Sequence, residues 1–203
     1  MSEPLADPLL DRARGGDRAA FDQLVRLYWP RIFALALQIS GHREDAEDIA
    51  QETFLRAHRG LRAFEGRSSF QTWLYRIALN RALSHRSGKS RRPTHVSVHD
   101  DRVRAALEVD APDPAAAREL AEDYALLLAA MDRLSPALKA AVVLVALQQL
   151  SHAQAGAVLS ATPGTIAWRM HEARRQLQAA LSPISEVRPK GGRHDSPRAR
   201  RKG

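Results

Sequence analysis

Between Phe64 and Arg86 the chain reads FEGRSSFQTWLYRIALNRALSHR, and within it Phe70, Trp73, Leu74, Ile77 and Ala78 recur at intervals of three and four. A helix of 3.6 residues per turn places all five on one side, so the spacing predicts a helix with a single buried stripe. Ser68 or Ser69 is placed to cap it, because a serine side chain accepts from the unpaired amides of a first turn. Tyr75, Arg76 and Arg86 fall outside the stripe and are expected to point outward. Cations for phosphate beside a ring for stacking suit an unpaired or opening nucleic-acid strand. A solvated basic helix with an incidental tyrosine has the same composition, and this window does not separate the two readings.

The same periodicity governs most of the chain, and it predicts an all-α fold of two small helical domains. A short helix is expected over Asp7 to Arg14, ended by Gly15 and Gly16. Asp17 then caps a longer helix carrying Phe21, Leu24, Val25, Tyr28, Ile32, Leu35, Ala36 and Ile39, which Pro30 should kink or split and Gly41 should end. Residues 87–113 lose the pattern, gain proline and read as a flexible linker, in which Lys89, Arg91 and Arg92 could trail along a phosphate backbone. Helices resume over Ala115 to Met131 and from Pro136, the latter with Leu138, Ala141, Val142, Val145 and Gln149 along one side. The boundaries expected are 1–86 and 114–181 for the two domains, 87–113 for the linker and 182–203 for a basic, disordered tail.

Charge is patterned differently on the helix from Arg43 to Arg59. Ala46, Ile49, Ala50, Thr53, Phe54 and Ala57 make an inward stripe, while Glu44, Asp45, Asp48, Gln51, Glu52 and Leu55 share the other side. An anionic surface with a leucine in its middle is poorly suited to DNA and better suited to docking a protein. The competing reading, a solvated face whose first acids complement the helix dipole, leaves Leu55 unexplained.

Near the C-terminus, SHAQAGAVLSATPGTIAWRMHEARRQLQAAL has helix-turn-helix spacing. A short helix from His152 to Leu159 is followed by a turn at Ser160 and Ala161, then by Thr162 as N-cap and Pro163 in the first helical position. Ile166, Met170, Ala173, Leu177 and Leu181 form the buried side of the second helix. Thr165, Trp168, His171, Glu172 and Arg175, with Arg169 at the margin, are the candidate DNA-reading residues.

Composition narrows the partners. The formal net charge of +8 on 203 residues suggests a polyanion, and the positive side chains include only four lysines, leaving arginine, the better bidentate donor. Seven cations against two acids put +5 of that charge in residues 183–203, so the folded domains are close to neutral and patterned. The absence of cysteine excludes disulfides and thiolate metal sites. No leader-like segment opens the chain and no apolar run approaches a membrane span, so no membrane insertion and a cytoplasmic location are expected.

With these segments in order, the chain resembles a bacterial sigma-70 family factor of the small extracytoplasmic-function (ECF) type. DAEDIAQETFLRAHR (Asp45 to Arg59) resembles the segment that binds the polymerase clamp helices, FEGRSSFQTWLYRIALNRA (Phe64 to Ala82) the promoter-melting and minus-ten segment, and Arg133 to Leu177 region 4, the minus-thirty-five reader. The resemblance implies core RNA polymerase and promoter DNA as partners, an anti-sigma factor as a further one, and no cofactor or metal. It assigns polymerase binding to Asp45, Asp48, Gln51, Glu52 and Leu55, and minus-ten contacts to Phe64, Ser68, Ser69, Tyr75, Arg76 and Asn80, with Trp73 in the core. A base flipped from the non-template strand would enter the loop from Leu61 to Phe70.

Departures from the family pattern fall in the helix-turn-helix. Ala167 and Trp168 stand where a cation followed by serine is common, and Glu172 where a basic residue is frequent. Glutamate can accept from a cytosine amine and Trp168 can meet a thymine methyl, but Trp168 equally suits a protein interface. Gly156 in place of alanine weakens its helix slightly and permits close approach of a neighbour.

A free-standing helix-turn-helix repressor would account for the C-terminal half but give the acidic face and the Phe64 to Arg86 segment no purpose. A DNA-processing enzyme would need clustered carboxylates, a nucleophile with its base, or metal-spaced histidines. His95 and His99 are four apart but lie in the expected linker, and no enzymatic activity is expected.

Overall fold

A computed structural model describes residues 6–88, 100–106 and 114–187, with side chains over 8–85, 100–105 and 116–182. All elements among them are helical: α1 (Ala6–Arg14), α2 (Arg18–Ser40), α3 (Arg43–Gly60), a 3-10 turn (Leu61–Ala63), α4 (Phe70–Gly88), α5 (Asp101–Ala106), α6 (Pro114–Arg133), α7 (Pro136–Val142) running into a π turn (Val143–Leu147), α8 (His152–Leu159) and α9 (Pro163–Val187).

Asp17 starts α2 by accepting from the Ala20 amide at 3.1 Å, while the Arg12 guanidinium holds the same carboxylate at 2.7 Å. The helix runs unbroken through Pro30, so the expected splitting does not occur. Packing explains this, because Tyr28, Ile32, Leu35 and Ala36 on both sides of the proline are buried against α3 and α4. Each buried large apolar side chain contributes about 1.5–3 kcal/mol, which offsets the lost backbone bond. Tyr28 meets Phe70 edge to face at 5.4 Å between ring centroids, and Trp29 stacks on Phe54 at 5.9 Å. Gly41 ends α2 at φ +87°, a left-handed turn that glycine adopts without penalty.

The second domain packs α6, α7 and α8 around α9, with Leu128, Leu144, Ile166 and Ala173 in its core. Ser135 caps α7, and Ser151 with Gln154 forms a reciprocal capping box on α8. The π turn makes α7 leave its axis before Gln149, which sits exposed at φ +59° instead of continuing the expected stripe. At α9 the expectations for Thr162 and Pro163 are met, since Thr162 Oγ1 accepts from the Thr165 amide at 3.1 Å. The helix extends to Val187, past the expected end at 181. The remainder of the expected tail, from 188, lies outside the described residues, as do Lys89, Arg91, Arg92, His95 and His99.

Part of the expected linker is a structural element. Asp100 starts α5 by accepting from the Arg102 amide at 2.8 Å, and Arg102 itself is 0% exposed. Its guanidinium donates to Asp100 at 3.0 and 2.9 Å and to Asp132 of α6 at 3.1 and 2.9 Å. Lys139 of α7, also buried, donates to Asp132 at 2.6 Å and to the Ile39 carbonyl at the end of α2 at 3.3 Å. Burial opposes the charge on Arg102, but its hydrogen bonds to Asp100 and Asp132 outweigh it and raise its pKa. Burial likewise opposes the charge on Asp132, and Arg102 and Lys139 reverse the balance to hold its pKa down.

Gly156 is where α8 lies against the turn, and a Cβ there would stand 2.5 Å from the Ala161 carbonyl oxygen. Gly156→Ala gains helix propensity of about 1 kcal/mol but meets backbone that must shift at a cost of about 1–3 kcal/mol. A net loss of stability in urea unfolding, with the slope unchanged, is the expected result.

Candidate polymerase and nucleic-acid interfaces

The acidic face of α3 is built by its buried stripe, since Ala46, Ile49, Ala50, Thr53, Phe54 and Ala57 are all turned inward. Asp48 and Gln51 are exposed beside Leu55, which is 53% exposed. Glu52 is paired with Arg56 at 2.7 Å, and that hydrogen bond lowers its pKa. Asp45 departs from the expectation: it is buried, with His85 Nε2 of α4 at 3.9 Å, and does not share the open face. It stands at the edge of the stripe, where packing against α4 decides its side. The first amide of α3 is met from a distance in sequence, because the Asp101 carboxylate accepts from Arg43 at 3.1 Å while His42 provides no side-chain cap.

On α4 the stripe is as expected, with Phe70, Leu74 and Ala78 buried and Trp73 and Ile77 packed against the core. Ser69 is the cap, accepting from the Thr72 amide at 3.1 Å, and Ser68 stands outside that role. Phe64 is buried, its ring 5.0 Å from Trp73 and 6.0 Å from Phe70, so it anchors the loop and is not offered to a ligand. Arg67, Glu65 and Gly66 are exposed at the loop tip, and Asn80 is exposed on α4.

Tyr75 is the main correction. It is 1% exposed, and its hydroxyl donates to Gln148 Oε1 of the second domain at 2.9 Å while accepting from Gln71 at 3.2 Å. Burial raises its pKa. Arg76 is surface-lying but donates to the Ala157 carbonyl of α8. Helical spacing places both residues away from their own bundle; it carries no information about a second domain landing there. Gln148, Asp101 and Arg102 were therefore missed as participants. Asp100 followed by Asp, Arg, Val, Arg, Ala and Ala is a short helix-start signal that could have drawn attention to α5.

The helix-turn-helix presents Trp168, 63% exposed, with Ala167, His171 and Arg175 exposed and Arg169 and Thr165 half-buried. Ser160 makes the turn at φ +51°. Glu172 is already occupied: Arg175 donates to both of its oxygens at 2.9 and 2.6 Å, and Gln176 adds a bond at 2.7 Å. Reading a cytosine amine would require breaking that fork, so Glu172 is better placed to hold Arg175. The bonds from Arg175 and Gln176 lower the Glu172 pKa to about 2. Because this lies below the ordinary carboxylate value, the pairing contributes above about pH 4.5 and is lost as pH falls toward 2. An NMR titration should find that midpoint, and Arg175→Ala should move it up toward 4.5.

No group of acidic or histidine side chains that could hold a metal occurs among the described residues, and no described helix is long and apolar enough to cross a membrane. Residues 24–92 match the family model of sigma-70 region 2, and residues 124–177 that of sigma-70 region 4. The chain is 34% identical over 182 residues to the RNA polymerase sigma-H factor of Pseudomonas aeruginosa, covering 87% of this chain and 93% of the relative. It is 30% identical to the ECF RNA polymerase sigma-E factor of Haemophilus influenzae, covering 91% and 100%. Among solved structures, CnrH in complex with the cytosolic domain of CnrY aligns with TM-score 0.65 at 27% identity, over 88% of this chain and 98% of that one. The sigma factor RpoE of Bartonella quintana, in complex with the anti-sigma factor NepR, aligns with TM-score 0.59 at 27% identity, over 80% and 96%. The chain belongs to the sigma-70 family and, within it, to the ECF type of RNA polymerase sigma factor that directs transcription initiation.

Proposed function

We propose that this chain docks on core RNA polymerase through Asp48, Gln51, Glu52 and Leu55 of α3, with Asp45 supporting that helix from its inner side. The exposure of Leu55 beside Asp48, Gln51 and Glu52 carries this reading, since an apolar centre rimmed by polar side chains suits a protein partner. The loop around Ser68 and Ser69, with Arg76, Asn80 and the Tyr75 ring of α4, receives the opened minus-ten strand. Phe64 contributes by fixing the loop against Phe70 and Trp73.

Upstream duplex is read by Thr165, Trp168, Arg169 and His171 of α9, with Arg175 held in place by Glu172. An isolated repressor role is not favoured, because it gives no use to the α3 face. The protein supplies specificity and strand capture in the cytoplasm, and bond-making chemistry belongs to polymerase. Since the solved relatives CnrH and RpoE are bound to CnrY and to an anti-sigma factor, an anti-sigma factor is proposed as a partner here too.

Run-off transcription with purified core polymerase, the full chain and a library of upstream genomic fragments tests the reading. Start sites should appear only when the protein is added; their absence, with no co-purification with core enzyme, would overturn it. Joint replacement of Asp48 and Leu55 by alanine should weaken core binding at least tenfold, in line with a central interface anchor worth about 2 kcal/mol or more, with an unchanged circular dichroism spectrum. Trp168→Ala should alter which upstream elements are selected, and identical promoter preference would instead assign Trp168 to a protein contact.

A further inference from the structure

Ile166 and Ala173, both 0% exposed, fix the inner side of α9. At 3.6 residues per turn Gly164, Trp168, His171 and Arg175 then share the opposite side. Trp168 stands in the second turn and is 63% exposed, with exposed Ala167 next to it and exposed Gly164 one turn back. These small neighbours leave the indole standing clear of the helix surface. Thr162 caps this end, and its hydroxyl is also bonded to that of Thr165 at 2.9 Å, so the Thr165 side chain is engaged in the cap.

Charge decides what covers the ring. From Pro163 to Gln176 three arginines, Arg169, Arg174 and Arg175, stand against one acid, Glu172, which is itself bonded to Arg175. An exposed ring set among cations suits a polyanion, and in helix-turn-helix docking the N-terminal residues of the second helix meet base edges in the major groove. The usual guanine reader is an arginine or lysine in bidentate contact with O6 and N7. Here position 167 is alanine, and Arg175 turns its Nε and Nη2 to Glu172. Its charge remains for phosphate, about 10 Å along the helix from Trp168.

Thymine is the base whose edge matches this ring. It carries a C5-methyl group beside the O4 acceptor, whereas cytosine lacks the methyl and puts an amine donor where that acceptor would be. The indole has an apolar face and a donor-only Nε1–H. We infer that Trp168 is the thymine-reading residue of this chain, its ring against the methyl and its Nε1–H toward O4, with Ala167 small enough to let it reach the base edge. The inference rests on the sigma-factor reading of α9 and names the sequence class that the helix selects. In the upstream element, the base met from its second turn is a thymine and not a guanine.

Uracil differs from thymine only by the methyl group, so it gives the test. Core polymerase loaded with the full chain is bound to a promoter duplex mapped by run-off, with deoxyuridine replacing each thymine of the upstream half, on either strand, one at a time. At one position or more the wild-type complex should weaken about fourfold, the value of one buried methyl group. Trp168→Ala should bind the unmodified duplex more weakly and lose that sensitivity to uracil. Its circular dichroism spectrum should be unchanged, because the side chain is exposed.

A wild-type complex indifferent to uracil at every position would overturn the inference. So would a Trp168→Ala complex that keeps the wild-type sensitivity, which would assign the methyl to another residue and Trp168 to a protein contact. Either result, with run-off transcription still active, leaves the sigma-factor reading in place. Absence of any run-off product would remove that reading, and the inference with it.

Discussion

Burying Arg102 completely demands that its charge be matched on every side, and much of the arrangement of this molecule follows from how that demand is met. A lone guanidinium removed from water would cost more than the packing around it returns. Here Asp100 and Asp132 approach it from different helices, and Lys139 neutralises the second of these acids from a third. Such a cluster tolerates little displacement, because moving one helix leaves an uncompensated charge behind. It therefore fixes where α5, α6 and α7 stand relative to the end of α2, where Gly41 makes room for it.

From that junction the rest of the closed form can be traced. With α7 fixed, its π turn brings Gln148 over Tyr75, and α8 comes to lie along α4 with Ala157 in reach of Arg76. Helix α3, with its acidic face, is tied into the same junction through its N-terminal amide and Asp101. Among the described residues, the acidic face around Leu55 and the side of α9 around Trp168 remain open, while the side of α4 that carries Tyr75 is covered.

On the recognition helix, local chemistry already limits how the departures from the family pattern can be used. Glu172 has its oxygens committed to Arg175 and Gln176, so the acid at that position organises a cation and is not free to read a base. Trp168 has no such commitment in the described structure and carries the largest exposed apolar surface of the helix.

Local pattern by itself determined the main helices, their caps at Asp17 and Thr162, the buried stripes of α3 and α4, and the helix-turn-helix, since each depends on spacing and on side chains within a few residues, while the cap of α4 was narrowed to Ser68 or Ser69 and the structure selects Ser69. The same reasoning identified Leu55 and Trp168 as exposed, because nothing nearby in the chain could cover them. It placed Asp45 and Tyr75 outward and residues 100–106 in a linker, and in each case the deciding contact came from far along the chain: His85 for Asp45, Gln148 for Tyr75, Asp132 for Arg102. Periodicity tells which side of a helix faces its own bundle. Which outward side a second domain then covers is set by long-range charge matching and packing, and only the tertiary structure decided it.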